Sequence, residues 1–162
     1  MWFREELEAV IRAPREAVWA AFQDFPSWPK WSSLLKEVSR LEGGYKFRAR
    51  AQPPVDLVWV AEAVRREPPE YLEFASIPGV PHNLEVKGNV RLTQEDGFTR
   101  MLLVFEGRPH YESKLLDRAA DWYASTFGEP NKVIKLTFEQ FKDYVEGLQA
   151  PESPPSGAPA HT

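Results

Sequence analysis

Two histidines occupy proline-bearing loops, His82 in "PGVPHN" at 78–83 and His110 in "GRPHYES" at 107–113. A neutral imidazole can ligate a metal ion or take up and return a proton near neutral pH. No carboxylate or third histidine falls at ligand-like spacing, so a metal centre is not expected, and a solvated loop histidine is the plainer role for each. Arg108 and Tyr123 add groups that could move a proton on a docked molecule. Glu73 lies between Leu72 and Phe74, and Glu106 follows Phe105. At alternation positions opposite the apolar residues, both glutamates belong on a solvated outer face. Turned inward, either would have its pKa raised by desolvation and could act as a general acid.

Other chemistries are excluded by what the chain lacks. It has no cysteine, which removes disulfides, thiolate nucleophiles and cysteine-held metal clusters. There is no phosphate-binding glycine loop, dinucleotide motif, nucleophile elbow or HExxH, and no cofactor is expected. The formal net charge is −4 with lysines and arginines scattered, so no basic stripe offers itself to nucleic acid. No apolar run reaches the eighteen or so residues needed for stable membrane insertion, and "MWFREELEAV" has no signal-peptide core. A cytoplasmic location is expected.

The elements that must position these groups follow from periodicity. Residues 2–12 alternate as a half-buried strand, and "APREAVWAAF" places Val18, Trp19, Ala21 and Phe22 on one face of a short helix. In "DFPSWPKWSSLL" at 24–35, Pro26 and Pro29 force a sharp turn before a second short helix can start. From Leu34 the period is two, giving six strands separated by turn residues at 42–44, 52–55, 67–70, 78–83 and 94–97. Connections this short join antiparallel neighbours.

A helical period returns with Leu115, Leu116, Ala119, Trp122, Tyr123, Thr126 and Phe127 on one face, continued by Val133 to Leu148. "GEP" at 128–130 should kink or break it. Residues 1–148 read as one domain, and the Pro-rich stretch 149–162 as a disordered tail. The fold class is α+β: a seven-stranded curved antiparallel sheet wrapped around a long C-terminal helix, with two short helices after the first strand.

Such a sheet would be roughly 33 Å across its strands, against a helix roughly 10 Å wide. Large side chains must fill the remainder, or a cavity stays open. Alternation puts Trp59, Phe74, Leu84, Val86, Val90, Met101, Leu103 and Phe105 on the inward face, with Trp122, Tyr123 and Phe127 facing them from the helix. Taken singly these are ordinary core residues. As a set, in a chain that is 13% aromatic, they suit a pocket for flat or long apolar molecules. In a meander, the turns at 52–55, 78–83 and 107–112 share one end. That end should gather Trp28, Trp31, Val80, His82, Asn83, Arg108, His110 and Tyr111 as a rim, with Trp28 the more exposed tryptophan and Trp31 the structural one.

"IRAPREAVWAAFQDFPSWPKW", "WVAEAVRREPPEYLEFASIPG", "GFTRMLLVFEGRP" and "FEQFKDYVEG" resemble the START-like (SRPBCC) superfamily, specifically its polyketide cyclase/dehydrase and coenzyme Q-binding type. The resemblance spans about residues 3–148. It implies a helix-grip fold (START/Bet v 1-like) enclosing an elongated apolar cavity for lipids, isoprenoids or polyketides. The first expectation is therefore a binding protein for a hydrophobic small molecule, gated by movement at Gly128–Pro130. A second is a cyclase or dehydrase-type enzyme in which Tyr123, Arg108 or His110 moves protons. A third is a coenzyme Q-binding chaperone or protein-interaction module.

Overall fold

The computed structural model describes residues 2–50, 56–109 and 130–149. His110, Tyr111, Trp122, Tyr123 and Phe127 lie outside the described residues, as do Leu115, Leu116, Ala119, most of the "GEP" break and the stretch 150–162.

Strand β1 (Phe3–Ile11) leads into helix α1 (Arg15–Gln23) and a 3-10 helix (Phe25–Lys30). Six strands follow: β2 (Leu35–Leu41), β3 (Gly44–Ala49), β4 (Leu57–Glu67), β5 (Tyr71–Ser76), β6 (Leu84–Glu95) and β7 (Phe98–Pro109). Helix α2 spans Pro130–Gln149. The sheet order is β1-β7-β6-β5-β4-β3-β2, so the meander runs from β2 to β7 and β1 closes onto β7, from Phe3 opposite Gly107 to Ile11 opposite Thr99. This is the helix-grip arrangement, and the two strands joined by α1 and the 3-10 helix lie at opposite edges of the sheet.

The second short helix departs from expectation. It forms on the Pro- and Trp-rich stretch itself, not beyond it. Pro26 stands at its first turn, where a missing N–H costs nothing, and Pro29 is tolerated because a 3-10 turn of this length makes few internal hydrogen bonds. The Ser32 hydroxyl then accepts from the N–H groups of Leu34 and Leu35 (3.2 and 3.3 Å), which fixes entry into β2.

Alternation on the strands builds one concave apolar face. Phe47 opposes Trp59 across β3 and β4, Ala63 opposes Phe74 across β4 and β5, and Val90 opposes Leu103 across β6 and β7. Glu73 and Glu106 take the other, convex side with Asn89 and Lys87 opposite them. Gly88 is on the concave face between Phe74 and Phe105. A Cβ there would stand 2.1 Å from the Val104 carbonyl oxygen and 2.8 Å from the Phe74 ring, so glycine makes room for that pair.

Helix α2 buries Phe138, Phe141 and Val145 against α1 and β1. Side chains pin it at two points. Glu146 Oε2 accepts from the Arg12 backbone N–H (2.9 Å), and Gln140 exchanges hydrogen bonds with Ser33 (3.1 Å from Ser33 N–H, 2.9 Å to Ser33 Oγ).

Candidate functional site: an aromatic-lined cavity

Sheet curvature leaves a cavity of about 810 Å³ between the concave face, α1, the 3-10 helix and α2. That is the size of sites for small organic ligands. Two apolar clusters flank it. One joins Ile11, Val18, Phe22, Met101, Phe141 and Val145; the other joins Leu35, Phe47, Ala49, Leu57, Leu84 and Val86. Phe25 and Trp28 pack against both, so the 3-10 helix bridges the clusters across the cavity.

The bridge is a chain of ring contacts. Trp59 stacks on Phe47 (centroids 5.3 Å, 6° between planes), Phe47 meets Trp28 (5.6 Å), Trp28 meets Trp31 (5.5 Å) and Trp31 meets Phe141 on α2 (5.3 Å). A branch runs from Trp28 through Phe25 to Tyr45 (5.2 and 4.9 Å). Such a wall presents rigid flat surface with little rotamer entropy left to lose, which suits apolar contact in many orientations.

Of the residues expected on the inward face, Trp59, Phe74, Leu84, Met101, Leu103 and Phe105 border the cavity. Val86 and Val90 share that face but lie in the packed clusters, outside the lining. Trp28 and Trp31 both line it. Trp28 is half-buried, wedged by Phe22, Phe25 and Phe47, and its indole N–H donates to the Phe22 carbonyl (2.9 Å), so it is anchored more firmly than an exposed rim residue. Trp31 is also half-buried, stacked on Tyr144, and its Nε1 has no hydrogen-bond partner among the described residues.

Of the expected rim, Trp28 and Trp31 border the cavity, whereas Val80, His82, Asn83 and Arg108 do not. His82 directs Nδ1 to the Val80 carbonyl (2.6 Å). Asn83 clamps the start of β4, accepting from the Val58 N–H (2.7 Å) and donating to the Asp56 carbonyl (2.9 Å). Arg108 alternates with Phe105 and Gly107 and so projects from the convex side, paired with Glu85 (2.7 Å) and lying over the Trp2 ring. Sharing a sheet end is not sharing a sheet face, and the face decides what reaches the cavity.

Among the described residues the exposed lining is instead Ala20, Asp24, Arg40, Gly43, Ala63 and Arg66. They place the mouth between the C-terminal end of α1, the β2–β3 turn and the second half of β4. Sequence periodicity missed both arginines because each follows a β-bulge. Pairing slips between Leu35 and Glu37 on β2 and between Ala63 and Arg65 on β4. Each slip moves the later residues to the other face. Arg40 thus falls opposite Tyr45 and lies over its ring (5.5 Å), while Arg66 falls opposite Leu72, lies over Trp19 (5.8 Å) and donates to Gln23 Oε1. Tyr45 and Phe47 line the cavity too, and the period of two in "YKFRARA" is the signal that places them on one face.

Among the described residues no group of three or more His, Asp or Glu side chains is placed to hold a metal ion. None of the described helices is long and apolar enough to cross a membrane. The titratable side chains of the described lining are Asp24, Arg40, Tyr45, Glu62 and Arg66.

Solved structures share this architecture. A protein of Deinococcus radiodurans, DR_A0006, matches at 21% identity over 90% of this chain and 98% of its own, with a TM-score of 0.65. The Zhui aromatase/cyclase of a Streptomyces species matches at 15% over 90% and 94%, TM-score 0.63. Ara h 8.0201 matches at 13% over 91% and 99%, TM-score 0.62. At such identities the likeness speaks for the fold. No curated protein matches the sequence. Residues 4–146 match the family model described as polyketide cyclase / dehydrase and lipid transport. A match of that extent, on a helix-grip fold with an aromatic cavity, makes this chain a member of the polyketide cyclase/dehydrase and lipid transport family, within the START-like (SRPBCC) superfamily.

Proposed function

We propose that the protein binds a hydrophobic small molecule, of lipid, isoprenoid or polyketide-like kind, in the cavity between sheet and helices. The observation that carries this reading is the cavity of about 810 Å³ walled by a continuous run of aromatic rings. Removing apolar ligand surface from water into such a space is favourable by about 25 cal/mol per Å². The family description includes lipid transport and accords with uptake and release. A cytoplasmic place of action belongs to the same proposal.

Binding is preferred over catalysis on the makeup of the described lining. Apart from Tyr45, its titratable groups are carboxylates and arginines, and among the described residues no histidine–carboxylate pair faces the space. The test is uptake of the neutral apolar dye Nile red, with native mass spectrometry of the protein as purified. Saturable dye fluorescence and a co-purifying mass of a few hundred daltons are expected. A protein that is always empty and takes up no dye would overturn the reading.

A further inference from the structure

Both β-bulges of the sheet carry the same consequence. Uninterrupted alternation from Leu35 would put Arg40 on the convex side, and from Ala61 it would do the same to Arg66. The slips at 35/37 and 63/65 bring both arginines to the cavity side instead. Bulges commonly re-aim a side chain at a site, and here two of them re-aim cations at the mouth of an apolar cavity.

Arg40 and Arg66, like Arg91 over Tyr71, meet a ring where several other arginines meet an acid. Arg48, Arg100 and Arg108 each sit against a carboxylate, at 2.7 Å from Glu37, Glu8 and Glu85. Arg40 and Arg66 have no carboxylate partner among the described residues. Asp24 and Glu62 also border the cavity, but Asp24 Oδ2 accepts from the Ser27 hydroxyl (2.6 Å) and neither acid pairs with either arginine. Arg66 is held by the Trp19 ring and by one hydrogen bond to Gln23 Oε1, and a guanidinium has five N–H donors. An oriented guanidinium with donors to spare beside an apolar space is suited to a planar anion.

We infer that the ligand is an amphiphilic acid, with its apolar body among the rings and its anionic end, a carboxylate in the simplest case, at Arg66 and Arg40. This rests on the binding reading above and narrows it: neutral hydrocarbons and alcohols of the same length bind less well. Both arginines are exposed, so substituting them leaves the packed clusters intact.

The test is displacement of Nile red by dodecanoate and by 1-dodecanol, at low and high salt, from the parent protein and from Arg40→Gln, Arg66→Gln and the double variant. The expected result is that dodecanoate binds about tenfold more tightly than dodecanol, as one charge-assisted contact supplies. The preference shrinks with salt, falls in each single variant and vanishes in the double variant, dodecanoate losing more affinity than dodecanol. Equal displacement by acid and alcohol, or a preference that survives in the double variant, overturns this inference while dye uptake leaves the binding reading standing. Absence of dye uptake removes both.

Discussion

One sheet supports two differently built halves. Where α1 and α2 lie over β1 and the Leu92 and Thr99 ends of β6 and β7, the space is filled: Ile11, Val18 and Val145 are fully buried, and Phe141, 2% exposed, stands at the boundary with the cavity. A buried Thr99 hydroxyl donates to the Ala13 carbonyl (2.7 Å), tying β7 to the start of α1. Over β2 to β4 the described cover is the 3-10 helix, whose Phe25 and Trp28 reach across while Phe47, Leu57 and Trp59 face open space. The apolar alternation is the same in both halves. Among the described residues, helical cover rather than composition separates the packed core from the cavity wall.

Breaking the filled half should have the largest effect. Phe141→Ala removes a ring that touches Phe22 and Trp31 in close packing, and a loss of about 3–5 kcal/mol in urea unfolding is expected. A shift below about 1 kcal/mol would show that this half is not the packed one. Enlarging an alanine sharpens the contrast. Ala13→Leu, at a position 1% exposed, should cost about 1–3 kcal/mol through overpacking. Ala61→Leu borders the cavity, so its stability should stay within about 1 kcal/mol of the parent while Nile red uptake falls. Equal destabilisation by the two would erase the distinction. Smallest in stability is Trp59→Ala, about 1–2 kcal/mol from a stacked but half-solvated ring, with a loss of dye affinity as its main signature.

The filled half and the strands of both were legible because period two persists for most of the chain between Leu34 and Arg108, with glycines and prolines marking the turns. Inward residues such as Trp59, Met101 and Phe105 followed from that period. The mouth did not. Its position depends on two bulges, and a bulge is one extra residue in a strand whose composition stays strand-like; "AVRRE" gives no sign that Arg66, not Arg65, turns inward. Arg108 misled for the converse reason, since its loop lay at the expected end while its strand position faced outward. The neighbouring prolines suggest an exposed Trp28, yet they shape the 3-10 turn that folds its ring under Phe22.

The strand order also sets a sequence of assembly. Strands β2 to β7 are joined by connections of two to seven residues and can pair as they emerge from the ribosome, whereas Thr99 and Ala13, tied at the β1–β7 closure, are 86 positions apart. Closing a loop of that length costs about 2–3 kcal/mol more in chain entropy than closing a five-residue turn. Strand β1, synthesised before the other strands of its sheet, is therefore among the last to be seated. A nascent chain halted before β7 keeps β1 without its partner and the future cavity open along an edge.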